Sequence, residues 1–159
     1  MMKTRAISRW LLNLRPFRCT IPQLESYFQS SVQKGVGAMQ SKQEILDIIG
    51  QASGTTAYHR FSPFPGFPVI TDGVLAVAEA AGCFWLLDMI GGSSLLNPKL
   101  DKAFQVWTIT VNRPRDDAIV RGYNDTTLIV TQEVPCTDFP LDEFKLYLID
   151  GVILLPSEY

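Results

Sequence analysis

One histidine, three scattered cysteines and no long apolar run free of charge set the first limits on this chain. Cys19, Cys83 and Cys136 are too few for a disulfide framework in 159 residues, and no two have metal-ligand spacing. That excludes a disulfide-stapled secreted scaffold and a zinc ribbon, and a reducing cytoplasm is the expected location. The longest apolar stretch, Val74 to Ile90, is broken by Glu79 and Asp88. Each carboxylate would cost about 3 kcal/mol near the middle of a bilayer, so a soluble buried helix is expected there. The chain also has no glycine-rich phosphate loop and no nucleophile elbow, so neither a cofactor nor a metal is expected.

What the chain does have is apolar mass: 47% of its residues are hydrophobic, with 9 Phe, 5 Tyr and 3 Trp, enough for the core of one domain. Its charge is unevenly divided. Residues 1–38 hold six basic groups (Lys3, Arg5, Arg9, Arg15, Arg18 and Lys34) against one acid, Glu25. Residues 39–159 hold eight basic and fifteen acidic groups. So sharp a break separates a basic tail, 1–38, from a single domain, 39–159. The tail has three readings: an amphipathic targeting sequence, a basic arm for nucleic acid, or a non-native extension. Lys34-Gly35-Val36 admits codons that spell a bacterial ribosome-binding sequence just ahead of Met39. Translation is therefore expected to start at Met39.

Within the domain, Ser41 and Glu44 form a capping box for a short helix that carries Ile45, Leu46, Ile48 and Ile49 and stops at Gly50. A loop rich in proline and aromatics, residues 54–68, leads to Thr71-Asp72-Gly73, the start of a core helix. The core helix is expected to run to about Ile90 and stop at Gly91-Gly92. Period-two runs at 104–112, 118–123 and 127–134 predict a three-stranded antiparallel meander. Pro140, with Leu141, Phe144 and Leu148 behind it, predicts another short helix that stops at Gly151. Val152 to Leu155 then forms a brief strand. The expected fold is α+β: a small antiparallel sheet, a three-stranded meander plus a short C-terminal strand, packed on a buried central helix with two shorter helices.

Three blocks carry a family likeness: Thr71-Asp72-Gly73 leading into Phe84-Trp85-Leu86-Leu87-Asp88, Phe104-Gln105-Val106-Trp107, and Thr137-Asp138-Phe139-Pro140-Leu141 through Pro156-Ser157-Glu158-Tyr159. Tyr58-His59-Arg60 is a fourth, shorter block. Together, across about residues 58–159, they resemble an uncharacterised family of small bacterial and phage or mobile-element proteins, a domain of unknown function. The resemblance implies a fold-sized unit in a mobile-element setting and supplies no catalytic residue.

The chemistry-bearing candidates follow from residue type and place. His59, between Tyr58 and Arg60, is the one side chain whose ordinary pKa lies near neutrality. Asp72 and Asp138 sit at expected helix starts, where capping accounts for them, and Asp88 follows three apolar positions. His59 with Asp72 or Asp88 is the candidate catalytic set, and Tyr58, His59, Arg60 and Trp107 are the candidate binding residues. Trp107 counts only if it faces away from the core helix. The first functional reading is a non-enzymatic accessory module that binds a protein partner. The alternatives are an enzyme built on His59 with Asp72 or Asp88, and nucleic-acid binding through residues 1–38. No membrane partner is expected. A second copy would join at an exposed strand edge or at the apolar C-terminal segment.

Overall fold

The computed structural model describes residues 41–159. The expectations for the basic tail and for a start at Met39 lie outside these residues. The first described element is the expected one: Ser41 caps helix α1 (Lys42–Gln51), its hydroxyl accepting from the Glu44 amide while the Glu44 carboxylate accepts from the Ser41 amide. Ile45 is the position on α1 that becomes fully buried.

The sheet is larger than the sequence indicates. The described residues form seven strands in the order β1-β2-β7-β6-β3-β4-β5: β1 (Tyr58–His59), β2 (Val69–Thr71), β3 (Phe104–Asn112), β4 (Asp117–Asn124), β5 (Thr127–Val134), β6 (Glu143–Ile149) and β7 (Val152–Leu154). All pairs are antiparallel except β2 with β7. Three α-helices are described, α1, α2 (Asp72–Ala81) and α3 (Phe84–Leu96), and a 3-10 turn, Pro156–Glu158, follows β7. The expected arrangement, a meander plus one C-terminal strand on a single central helix, is corrected to this α+β fold of three helices and a seven-stranded, mostly antiparallel sheet.

Two physical causes account for the correction. The segment expected as a helix behind Pro140 is β6, with Phe144, Leu146 and Leu148 buried and the residues between them more exposed. Phe144 and Leu148 fit either period, and Leu146 belongs only to the strand. Gly151 is not a helix stop. With Asp150 it forms a two-residue turn between β6 and β7, both residues at positive φ (48° and 82°), as a tight hairpin requires. The second cause is that the long helix is two. Gly82 closes α2 in the left-handed conformation at φ 62°, and α3 then runs through Gly91-Gly92 to Leu96. A Cβ on Gly91 would lie 2.8 Å from the Phe67 ring, so that glycine serves close packing rather than termination.

The three meander strands fall where period two places them. Trp107, Ile109 and Val111 face the core together with Ala118 and Val120, and Leu86 and Ile90 of α3 pack on that surface. On the opposite face Phe104, Tyr147 and Tyr159 form an aromatic cluster, their ring centroids 5.5–6.2 Å apart.

Candidate functional site

The start of α2 gathers the polar groups of three separate segments. Thr71 is the N-cap, its hydroxyl accepting from the Val74 amide at 3.4 Å and donating to Glu158 Oε2 at 2.6 Å. Glu158 also accepts from the Gly73 amide at 3.2 Å and the Leu155 amide at 3.0 Å. A Cβ on Gly73 would lie 2.8 Å from Glu158 Oε1 and 2.9 Å from the Ala52 Cβ. Only glycine therefore lets the Glu158 side-chain carboxylate reach the free amides of the first turn.

Asp72 faces the other way, toward β1. Its Oδ2 accepts from the Thr56 amide (2.8 Å), the Thr56 hydroxyl (2.9 Å) and the Ala57 amide (3.1 Å), while the Thr55 hydroxyl donates to the Ala57 carbonyl (2.6 Å) and accepts from the Asp72 amide (3.1 Å). Its Oδ1 meets His59 Nε2 at 2.6 Å, with the two side chains 38% and 35% exposed. Antiparallel pairing of β1 with β2 puts His59 opposite Ile70, one turn of chain from Asp72. The His59 contact is the largest of the effects that hold the Asp72 carboxyl well below the usual carboxylate range, followed by the donors of Thr56. Asp72 is a standing anion. With one oxygen saturated by three donors, it accepts the Nε2 proton of His59 on the other, which leaves Nδ1 with a free lone pair whenever the ring is neutral.

Three of the sequence blocks, Tyr58-His59-Arg60, Thr71-Asp72-Gly73 and Pro156 to Tyr159, thus meet at one helix start. The model of the family of unknown function DUF6876 matches residues 43–159, from α1 to the last residue. The chain belongs to this family. The match reaches further toward the N-terminus than the blocks alone, and carries no organism or mobile-element setting with it. No curated protein and no solved structure matches the chain.

For this DUF6876 member the other candidates separate. Tyr58 is 63% exposed and Arg60 is exposed beside the His59–Asp72 pair. Trp107 faces the helices, 2% exposed, over the backbone of Gly122, and donates its indole N–H to the buried Gln105 at 2.9 Å. It is a core anchor. Asp88 lines a groove between α3 and β5, at the far edge of the sheet from β1. Six strand spacings of about 4.8 Å put roughly 29 Å between those edges. Asp72 is therefore the carboxylate that meets His59.

Asp138 is not at a helix start, since Pro140 opens no helix. Cys83 lies between α2 and α3, where burial pushes its thiol up to about 12, and Cys136 is exposed. Among the described residues no three His, Cys, Asp or Glu side chains are placed to hold a metal. No described helix is long and apolar enough to cross a membrane. Sequence reasoning missed Thr55, Thr56 and Glu158. Nothing in their local pattern marks them, because long-range pairing makes them neighbours of Asp72 and Thr71.

Proposed function

We propose that the chain is an enzyme in which His59, oriented by Asp72, acts as a general base. One observation carries this reading: the 2.6 Å contact between His59 Nε2 and an Asp72 carboxylate already saturated on its other oxygen. A carboxylate so placed fixes the imidazole tautomer and stabilises the imidazolium that forms during proton transfer. Nδ1 then takes the proton of a water or substrate hydroxyl as that oxygen attacks an electrophilic centre, and later returns it to the leaving group. A positioned base of this kind contributes roughly 10²–10⁴ in rate. Arg60, exposed one residue on, supplies positive charge for an anionic substrate. The cytoplasmic location and the bacterial or phage setting belong to the same proposal and rest on cysteine usage and on the sequence blocks.

Nitrogen NMR of the His59 ring tests the arrangement without a substrate. The neutral ring is expected to carry its proton on Nε2, and a proton on Nδ1 overturns the reading. In turnover of activated esters and phosphodiesters, His59→Gln should lose at least 100-fold with the fold intact. Equal turnover in the two proteins would count equally against it. A second reading, a module that binds a protein partner, is supported by a different observation: the open edge of the sheet at β5.

A further inference from the structure

Strand β5 ends the sheet with eight residues, and its outer side pairs with no strand among the described residues. Edges of this length are usually blunted by charged side chains, proline, bulges or brevity. Thr127–Val134 contains no lysine and no proline, and its one charge is Glu133. The strand carries one irregularity: Gly122 pairs with Val130 and Tyr123 with Leu128, so Ile129 is the extra residue of a bulge. Beyond it, Val130–Val134 runs regularly, with Val130, Gln132 and Val134 opposite the core-facing Gly122, Val120 and Ala118.

Among the described residues the helical layer does not extend over this edge. Leu86 and Ile90 seat α3 on β3, β4 and β6, which leaves its flank overlooking β5. Between flank and strand lies a groove of about 710 Å³ whose lining includes Trp85, Asp88, Met89, Leu96, Val130 and Gln132. Leu96, at its end, is 81% exposed. Asp88 is the one charged side chain that lines the groove, and among the described residues it forms no ion pair and accepts no hydrogen bond.

We propose that the β5 edge takes up an extended segment of a partner protein as an eighth strand, with alternate apolar side chains in the α3 groove and a lysine or arginine among them facing Asp88. Open main-chain groups supply affinity, and the groove beside them reads every second side chain, the division of labour in strand addition. Charge separates this occupant from a second copy paired through β5. A second copy pairing through β5 would offer Val130, Gln132 and Val134 to the neighbouring groove and leave Asp88 without a counter-charge. A basic segment supplies one, and its cation also lies within reach of the Trp85 ring.

The test is selection of random nine-residue segments on the full chain, in parallel with Asp88→Asn and Asp88→Lys. The native chain should enrich segments that alternate apolar residues with a Lys or Arg at an inward position. Asp88→Asn should lower their enrichment at least tenfold, and Asp88→Lys should turn the preference toward Asp or Glu. Amide exchange with a selected peptide should slow within Val130–Val134. No enrichment over an unrelated protein, enrichment indifferent to residue 88, or protection elsewhere overturns the proposal. So does a dimer, seen by sedimentation, that protects the same amides, which would assign the edge to a second copy.

Discussion

The two edges of the sheet hold one notable carboxylate each, and the two are treated in opposite ways. At β1, two residues long, Asp72 receives four hydrogen bonds and its pKa falls. At β5, eight residues long, Asp88 receives none from the described residues, and partial loss of hydration in the groove raises its pKa. The β1 edge is closed: a short strand, a filled helix start and a C-terminal latch leave His59 as its reactive group. Among the described residues the β5 edge is open in main chain, apolar surface and charge. A carboxylate saturated by the fold orients a neighbour, whereas one that the described residues leave to solvent can meet a partner's cation.

The largest expected effect sharpens this difference through the latch. Glu158→Ala removes the acceptor for the Thr71 hydroxyl and for the Gly73 and Leu155 amides. The loss of hydrogen bonds to a charged group at a partly buried position should cost about 3 kcal/mol, a fall of roughly 10 °C in Tm. Amide exchange should speed up in β2 and the first turn of α2 and stay unchanged in β4 and β5. Uniform acceleration across the sheet would show that the two edges are not independent.

How much of this was legible in sequence depends on whether the signal is local. The Ser41–Glu44 capping box and the three meander strands each declare themselves within ten residues, and each lies where the pattern puts it. The helix start at Thr71-Asp72-Gly73 was legible too, but Thr71 is its cap, and Asp72, expected to cap, turns to the β1 side instead. The glycine signal misplaces the helix end: Gly91-Gly92 is expected to stop the helix, and α3 runs on through it. Gly82 ends a helix and Gly91 lets Phe67 approach, because a glycine in a helical pattern serves either role and only its φ and its neighbours decide which. Strands β1 and β2 are too short to show a period and exist through pairing with each other and with β7. The site behaves likewise. His59 and Asp72 were nameable as types, but Thr55 and Thr56 become neighbours of Asp72 through the antiparallel β1–β2 pair, and Glu158 of Thr71 through the parallel β2–β7 pair, which no window of sequence contains.

The next effect concerns acid. Asp72 binds its proton less readily folded than unfolded, so its stabilisation is present above the ordinary carboxylate value of about 3.9 and is lost as pH falls below it. Asp142 follows the same sign: the Arg113 guanidinium, at 2.7 Å, and then the Lys42 ammonium lower it to about 2. Its contribution is lost between about pH 4 and pH 2. Asp72→Asn and Asp142→Asn should each flatten the acid limb of the unfolding curve, and Asp72→Asn should continue to differ from the native chain at lower pH. Urea midpoints at pH 6, 4 and 2.5 measure this. Curves that stay parallel to the native one would break the account of the β1 edge.

The smallest effect has the opposite sign. Asp88 binds its proton more readily folded than unfolded, because the groove removes part of its hydration and the described residues return no hydrogen bond. Its ionisation therefore weakens the fold as pH rises through the ordinary carboxylate range, and the penalty persists at neutral pH. Asp88→Asn keeps the shape and removes the charge, so it should raise the urea midpoint slightly at pH 7 and change nothing at pH 3. The same substitution should abolish the preference for basic segments at β5. A variant that becomes more stable while losing a binding preference identifies a residue held at a cost to the fold, which is expected of a recognition group and not of a structural one. If Asp88→Asn instead destabilises the chain at neutral pH, the carboxylate is structural, and the contrast between the two edges loses its chemical basis.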